Sequence, residues 1–237
     1  MFHPKYTISS KLLAHIKTIA SLVAQLNVKK YPYIVLHKFE ADARSVSSFA
    51  STSIEGNPLP LTDVKIILKS RPEHIRDTER EVLNYNNALI WLERALNQSK
   101  KISMSHDFIH KIHGIVMEDL MPQVQLSRYR STPVFVNDPQ KRVTVYWPPD
   151  EGDVTRFMNE LLDFIQSNKN TIDPLILSGL FHKQFVIIHP YIDGNGRTVR
   201  LLTKALLASM GLDTFNVFSF ENYYNNNVSK YFEYVGE

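Results

Sequence analysis

The chain has 237 residues, and 27 Lys and Arg against 24 Asp and Glu give it a formal net charge of +3 at pH 7. Its 43% hydrophobic and 22% charged residues exclude a mainly disordered chain, and the basic residues do not form the runs typical of nucleic-acid binding. The absence of cysteine excludes a disulfide scaffold, a thiolate zinc site and a cysteine nucleophile. We therefore expect a soluble, cytoplasmic protein without a membrane segment or secretion signal.

Apolar residues recur at spacings of three and four through most of the chain, which indicates helices. The first predicted helix begins behind Ser9 or Ser10 and carries an apolar face. The second runs from about Val35 to Ile54 and ends at Gly56. Further helices are predicted from a cap at Thr62 or Asp63 to Leu68, from Glu73 to Leu96, from Ser105 to Leu120, from Asp153 to Asn168, from Asp173 to about Ile188, from Thr198 to Ser209, and after Gly211.

One region departs from the helical pattern. Val134–Val136 and Val143–Tyr146 are β-branched and aromatic runs on either side of a turn-rich tetrapeptide, which predicts a β-hairpin. Pro148 and Pro149 end it. The pattern as a whole predicts a mostly α-helical domain with one hairpin and no internal repeat.

The segment from His189 to Arg200 is poorly explained by folding alone. Gly194 and Gly196 permit backbone angles that turn successive N–H groups into one concavity, and the helix that follows adds its positive N-terminal end. Phosphate is the anion that best matches such a loop. Arg197 and Arg200, three positions apart, lie on one side of the first turn, where they can fork onto phosphate oxygens.

Two further residues of this segment carry chemistry. Asp193 is a candidate ligand for a divalent cation, since magnesium favours one carboxylate together with phosphate oxygens and water. His189 is the neutral base of the segment. Taken singly, such residues are more often parts of an ordinary turn; their combination at fixed spacing favours a functional loop.

The same segment resembles the signature of Fic-domain proteins, His-x-Phe-x-(Asp/Glu)-Gly-Asn-Gly-Arg-x-x-Arg. The one departure is Tyr191, where the family usually has Phe. The matching residues are His189, Asp193, Gly194, Asn195, Gly196, Arg197 and Arg200. Their surroundings are also similar, at Gln184 and Phe185, at Tyr129 and Arg130, and at Tyr146, Pro148 and Pro149. The resemblance implies an all-α, mainly helical Fic fold with one β-hairpin flap.

The resemblance further implies a protein adenylyltransferase, an enzyme that transfers AMP from ATP to a Ser, Thr or Tyr hydroxyl of a target protein. His189 would be the general base, Asp193 would hold Mg²⁺, and Asn195 would contact the α-phosphate. Gly194, Gly196 and the helix end would cradle the phosphates, with Arg197 and Arg200 on the β and γ groups. The cofactors implied are ATP and Mg²⁺.

Family resemblance also implies an organisation and a partner. Residues 1–97 would form an N-terminal helical region and residues 98–237 the Fic core, with the flap at about 133–147 and the catalytic loop at 189–200. The implied partner is a protein substrate, and a copy of the same chain is one candidate. A segment of this substrate would add as a strand along the flap. The same hairpin could equally be simple structural cover. We expect no membrane or nucleic-acid partner.

A second motif lies far away in sequence. Glu55 ends the second predicted helix, where the helix dipole disfavours an acid that lacks a cationic partner. Ser51, Glu55 and Gly56 resemble the inhibitory motif (Ser/Thr)-x-x-x-Glu-(Gly/Asn) of class II Fic proteins. The resemblance implies that Glu55 pairs with Arg200 and keeps the γ-phosphate from its productive pose.

Two nucleotide-pocket candidates rest on weaker similarity. Asn227, Tyr231 and Phe232 resemble a late family helix in which an arginine follows the Asn, but Val228 stands in its place. Asn227 is a candidate for the nucleotide pocket, as is Gln184, whereas core packing is the simpler interpretation of the two aromatic residues.

Several alternatives stay open at this point. A Doc-like kinase is disfavoured by Gly196 and Arg200, whereas removal of AMP from a modified protein, with Glu55 positioning water, is compatible with the motifs. A catalytically silent binding module is disfavoured by the intact His189. A further C-terminal domain in a longer native protein is also left open.

Overall fold

Helices make up most of the computed structural model, which describes residues 2–98, 102–137, 144–212 and 217–236. A 3₁₀ turn at Glu151–Asp153 precedes the sixth helix. The helices of these ranges are α1 (Ser10–Val28), α2 (Tyr33–Ile54), α3 (Leu61–Lys69), α4 (Asp77–Gln98), α5 (His106–Val116), α6 (Val154–Asn168), α7 (Pro174–Ile188), α8 (Asn195–Ser209), α9 (Phe220–Asn226) and α10 (Val228–Gly236). The mainly helical prediction is confirmed.

Side-chain caps fix three of the predicted helix starts. The Ser9 hydroxyl accepts from the N–H of Leu12 at 3.1 Å at the start of α1. Ser105 caps α5 in the same way, and the Asp173 carboxylate caps α7 just before Pro174. Each cap satisfies a backbone donor that would otherwise lack an intrahelical partner.

Other predicted boundaries are wrong. Neither Thr62 nor Asp63 caps α3, which begins at Leu61 without a side-chain cap, and both lie inside its first turn. The fourth helix begins at Asp77 rather than Glu73. Its start is set by Glu79, whose carboxylate accepts from the N–H of Arg76 at 2.9 Å, the reach-back typical of a capping box. Likewise, α5 ends at Val116 rather than Leu120, and α8 begins at Asn195 rather than Thr198.

Two short strands lie where the sequence predicts the flap. Val136–Asn137 (β1) and Thr144–Tyr146 (β2) pair antiparallel, with Val136 opposite Tyr146. The residues that join them, 138–143, lie outside the described ranges, so the hairpin flap stays a prediction.

The hydrophobic core lies between α4, α5, α6, α7 and α8, and it holds the ends of α7 and α8 at one place. Among its fully buried side chains are Leu89, Ile112, Met158, Leu161, Phe181, Phe185, Val199 and Leu202. The α2 helix packs against α4 and α9, which brings its C-terminal end toward α8. The loop between α7 and α8 is therefore anchored on both sides by buried helices.

The first helix contributes nothing to this core. No residue of α1 is buried, although its apolar residues have the spacing predicted from the sequence. Leu13 and Leu22 leave 59% and 53% of their surface exposed. Within the described ranges, no helix has the length and apolarity needed to cross a bilayer.

Two matched leucine substitutions test this division. Leu161 is completely buried, so Leu161→Ala should lower the free energy of unfolding by about 2–5 kcal/mol. Leu13→Ala removes the same atoms from an exposed site and should change it by less than about 0.5 kcal/mol. Urea unfolding measures both, and equal losses would contradict the peripheral position of α1.

Candidate active site

The loop from His189 to Gly194 joins α7 to α8, and its shape depends on two residues in the left-handed backbone conformation. His189 ends α7 with φ 50°, and its N–H donates to the carbonyl of Phe185 at 2.9 Å. Gly194 begins α8 with φ 78°, a conformation that favours glycine. A Cβ on Gly194 would also collide with the side chain of Met117. The first turn of α8, at Asn195, thereby opens directly into the loop.

Asn195 braces this loop internally. Its side-chain oxygen accepts from the N–H of Tyr191 at 2.9 Å, and its side-chain nitrogen donates to the carbonyl of Tyr191 at 2.8 Å. Tyr191 itself is fully buried. The amide of Asn195 therefore holds the loop backbone in place, where the sequence suggested a contact with the α-phosphate.

Arg130 supports the loop from the other side. Its Nε donates to the carbonyl of His189 at 2.9 Å, and its own N–H donates to the carbonyl of Pro190 at 2.9 Å. The guanidinium also donates to the carbonyls of Thr132 and Pro149, which flank the two strands. The sequence singled out Arg130 only as part of the surroundings of the motif, yet this side chain joins the segments that flank the two strands to the loop between α7 and α8.

His113, a residue of α5, was missed by the sequence analysis. Its ring stacks on Tyr191 with centroids 3.6 Å apart. Nδ1 accepts from the N–H of Ser127, so Nε2 carries the proton and donates to the carbonyl of Asp193 at 3.1 Å. Burial lowers the pKa of His113 to about 4, which keeps it neutral. The one available signal was a histidine at an apolar position of the fifth helix, which is too common to identify a role.

Local contacts and burial act on the tautomer and the charge of His189. Its Nδ1 lies 3.4 Å from the carbonyl of Val186, which can only accept, so the contact favours the tautomer with a free lone pair on Nε2. Burial lowers the pKa of His189, while the Val186 contact and the charge of Glu55 raise it in part. The result is an imidazole that is neutral at pH 7.

Arg200 is fully buried and points toward α2. Its Nε donates to the hydroxyl of Ser51 at 2.8 Å, and its Nη2 donates to the Ser51 carbonyl at 2.9 Å and to Glu55 Oε1 at 2.7 Å. Nη1 reaches the hydroxyl of Tyr231 at 3.4 Å. Burial would lower the pKa of Arg200, but the negative charge of Glu55 raises it well above its usual value. The guanidinium is therefore a permanent buried cation that needs an anion beside it.

Glu55 supplies that anion from the C-cap position, directly after the last residue of α2. Its carboxylate keeps 32% of its surface exposed, and it lies against Gly196 so closely that a Cβ there would collide with Oε1. Gly56 follows with φ 94°, which lets the chain turn away from the site. The carboxylate therefore lies against the first turn of α8, where the sequence predicts a phosphate.

Arg197 points away from Arg200 and into a second set of carboxylates. Nη1 donates to Glu81 Oε1 at 3.1 Å, and Nη2 contacts the Asp193 carboxylate at 3.3 Å. Its Nε is buried without a hydrogen-bond partner. The sequence predicts that both guanidinium groups bind one anion. In the structure each is paired with a different carboxylate of the protein, Arg197 with Glu81 and Arg200 with Glu55. Glu81 of α4 was not found by the sequence analysis.

Asp193 is the candidate magnesium ligand. Its side chain is 64% exposed. Its carboxylate contacts the guanidinium of Arg197 and accepts a hydrogen bond from the N–H of Gly194. Within the described ranges, no three His, Cys, Asp or Glu side chains come together as a metal site. A single exposed carboxylate fits a magnesium ion that arrives with a nucleotide, because phosphates and water complete its coordination.

The two weaker candidates separate in space. Asn227 lies between α9 and α10 and lines a cavity of about 260 Å³ together with Tyr231, whose hydroxyl contacts Arg200. Gln184 is half-buried on α7, is absent from the lining of this cavity, and has no hydrogen bond to the loop among the described residues. Of these two candidates, Asn227 lines the cavity and Gln184 does not.

The loop between α7 and α8 thus begins at His189 and leads into a helix whose Arg197 and Arg200 are both buried. The model of the Fic/DOC family matches residues 101–207, which contain the whole loop. Residues 101–207 therefore form a Fic/DOC family domain of this chain.

Curated relatives carry the name protein adenylyltransferase Fic. The one from Nematostella vectensis is 35% identical over 167 residues, which cover 69% of this chain and 37% of the relative. The one from Drosophila erecta is 30% identical over 180 residues, which cover 74% of this chain and 34% of the relative. The chain thus spans only about a third of the length of these relatives.

Solved structures show the fold. A Fic family protein from Desulfovibrio desulfuricans G20 superposes with a TM-score of 0.80 at 24% identity, covering 99% of this chain and 68% of that protein. A Fic domain containing signaling protein from Bacteroides thetaiotaomicron VPI-5482 gives a TM-score of 0.70 at 23% identity, covering 83% of this chain and 73% of that protein. The helical arrangement described above is therefore the Fic fold.

Two glycine substitutions test the shape of the loop. Gly194→Ala places a Cβ in a left-handed conformation and against Met117, and should lower the free energy of unfolding by more than about 1–2 kcal/mol. Gly179→Ala, at an exposed position of α7 with open space around it, should raise it by about 0.5–1 kcal/mol. Thermal unfolding compares the two, and a stabilising effect of Gly194→Ala would contradict the loop geometry.

Proposed function

We propose that the chain is a protein adenylyltransferase that transfers AMP from ATP to a Ser, Thr or Tyr hydroxyl of a target protein. The observation that carries the proposal is that one glycine loop joins His189, at the end of α7, to the helix that carries the buried Arg200. The names of the relatives from Nematostella vectensis and Drosophila erecta support the same activity.

His189 acts as the general base in this proposal. Its Nε2 takes the proton of the target hydroxyl, whose oxygen then bonds to the α-phosphorus of ATP. The bond between that phosphorus and the oxygen bridging to the β-phosphate breaks, and pyrophosphate leaves. The positions of Arg130 and His113 support the role, because they fix the backbone on both sides of the loop.

The phosphates bind at the first turn of α8. Its free backbone N–H groups, including that of Asn195, point out of the helix end, and the helix dipole favours negative charge there. Arg197 and Arg200 neutralise the β and γ groups once these displace the carboxylates that now hold them. Asp193 would hold Mg²⁺, which would supply further charge neutralisation on the phosphates.

Glu55 makes the protein self-inhibited. Its carboxylate forms an ion pair with the guanidinium of Arg200 and fills the space beside Gly196. A γ-phosphate bound in the pose for transfer requires both that guanidinium and that space. Two like charges cannot share this position without a large electrostatic cost. Transfer therefore needs Glu55 to leave, by a signal that acts on α2 or by substitution.

The target segment binds along the flap. An extended segment pairs with the exposed edge of the hairpin, so that its hydroxyl lies over His189. The link through Arg130 from the catalytic loop to Thr132 and Pro149 supports this role, since it sets the distance between flap and base. A second copy of the chain would bind as a target in the same way, through an extended segment that pairs with the flap.

A second candidate activity is the removal of AMP from a modified protein. The charge of Glu55 is close enough to raise the pKa of His189, and its carboxylate is partly exposed. A carboxylate in that position can orient a water molecule for attack on the α-phosphorus. Release of AMP from a purified modified target, lost in Glu55→Gly, distinguishes this activity from simple blocking.

Glu55→Gly should increase the transfer of label from α-labelled ATP and Mg²⁺ to protein, because it frees Arg200 for the γ-phosphate. Adding His189→Ala should abolish transfer, with a loss of about 100-fold or more for a general base. Glu73→Gly, which removes an exposed carboxylate before α4, is the matched control and should not raise labelling.

Either of two results contradicts the proposal. The first is a failure of Glu55→Gly to transfer α-label to any protein, with lysate included as a source of targets. The second is labelling from γ-labelled ATP instead, which would indicate a kinase.

The pH dependence of transfer follows from His189. Only the neutral imidazole accepts a proton, so kcat/KM of the Glu55→Gly variant should fall as the pH drops through the pKa of His189. Burial lowers that pKa below 6.5, and removal of Glu55, which raises it, lowers it further. The acid limb of the profile should therefore have its midpoint below pH 6.5. A midpoint above about 7 would contradict the buried-base geometry.

A further inference from the structure

The residues that follow Glu55 are fixed by a complete helix-end motif. The N–H of Gly56 donates to the carbonyl of Ser53 at 3.0 Å, and the N–H of Asn57 donates to the carbonyl of Thr52 at 3.1 Å. This pair of bonds is a Schellman motif, in which Gly56 takes the left-handed position with φ 94°. Glu55 is therefore the C-cap residue that joins α2 to a tightly closed turn.

Asn57 attaches this turn to α4. Its side-chain nitrogen donates to the carbonyl of Thr78 at 2.8 Å and to Glu81 Oε2 at 2.6 Å, while its side-chain oxygen accepts from the N–H of Leu59 at 3.1 Å. Asn57 is only 8% exposed, so its amide is fully used inside the protein. A bond to a carboxylate of this kind is stronger than one between neutral groups.

Glu81, which holds Asn57, also contacts an arginine of the candidate anion site. The second oxygen of Glu81 accepts from Arg197 Nη1 at 3.1 Å. One carboxylate thus joins Asn57, two residues after Glu55, to the first arginine of the loop. The second arginine, Arg200, is held by Glu55 itself. The same turn is therefore tied to both cations of the site.

We propose that Asn57 is a positioning residue for self-inhibition: by fastening the turn to Thr78 and Glu81, it holds Glu55 where the carboxylate reaches Arg200. This inference rests on the proposed function, since it concerns the regulation of the same site. Without the hydrogen bonds from Asn57 to Thr78 and Glu81, the last turn of α2 is free to fray. The backbone of Glu55 is then no longer fixed at the position from which its carboxylate reaches Arg200.

Asn57→Ala tests this role through its interaction with Glu55→Gly. In the otherwise unchanged chain, Asn57→Ala should raise transfer from α-labelled ATP by about tenfold, the effect of losing a bond to a charged partner. In the Glu55→Gly background, the same substitution should add nothing, because no inhibitory carboxylate remains to be positioned. A merely structural role would lower stability equally in both backgrounds and would not raise transfer.

Asn57→Asp is the second variant, because it keeps the size of the side chain. It removes both donated bonds and places a carboxylate against Glu81, so it should also raise transfer. Asn84→Ala is the matched control. Asn84 is 3% exposed and donates to the carbonyls of Val116 and Glu118, away from the α2 turn, so its loss should lower the melting temperature without raising transfer.

The outcomes separate this inference from the proposed function. Activation by Glu55→Gly, together with unchanged transfer in both folded Asn57 variants, would overturn the positioning role and leave the proposed activity standing. An increase by Asn57→Ala of equal size with and without Glu55 would also overturn it. No transfer in any variant, Glu55→Gly included, would overturn the proposed function and this inference with it.

Discussion

A buried guanidinium that must have an anionic partner is the constraint on which the rest of the site depends. Arg200 is fully inside the protein and is charged at every accessible pH, so its burial is tolerable only with oxygen acceptors around it. Ser51, Glu55 and Tyr231 provide these acceptors from α2 and α10. Three helices distant in sequence are thus drawn together around one cation. In the proposed function, a phosphate replaces part of that shell when it binds.

The α2 helix is shaped for this task over two turns. Ser47, Ser51 and Glu55 follow each other at four-residue spacing and so share one face of the helix. Ser47 donates to the buried Glu221 of α9 at 2.9 Å, one turn before the contacts with Arg200. This polar stripe explains why a helix with so many small hydroxyl residues packs firmly on α4 and α9. Inhibition, in this account, is a property of the whole helix face and its closing turn.

The sequence predicted the helices and the two motifs better than it predicted what surrounds them. Fixed spacing within one segment is enough to recognise His189 through Arg200, and family resemblance alone linked Glu55 to an arginine 145 positions away. His113 and Glu81 could not be found, because single charged or aromatic residues on helices have no local pattern. Family resemblance implied a contact of Asn195 with the α-phosphate, whereas in the structure the tight turn after Tyr191 uses its amide to hold the backbone.

The most direct test of the account compares nucleotide binding with and without Glu55. If Glu55 and the terminal phosphates compete for Arg200, titration calorimetry should show tighter ATP binding to Glu55→Gly than to the unchanged chain, with equal affinity of both for AMP. AMP serves as the control because it lacks the phosphates that reach Arg200. Equal ATP affinity in the two proteins would contradict the claim that this ion pair occupies the phosphate site.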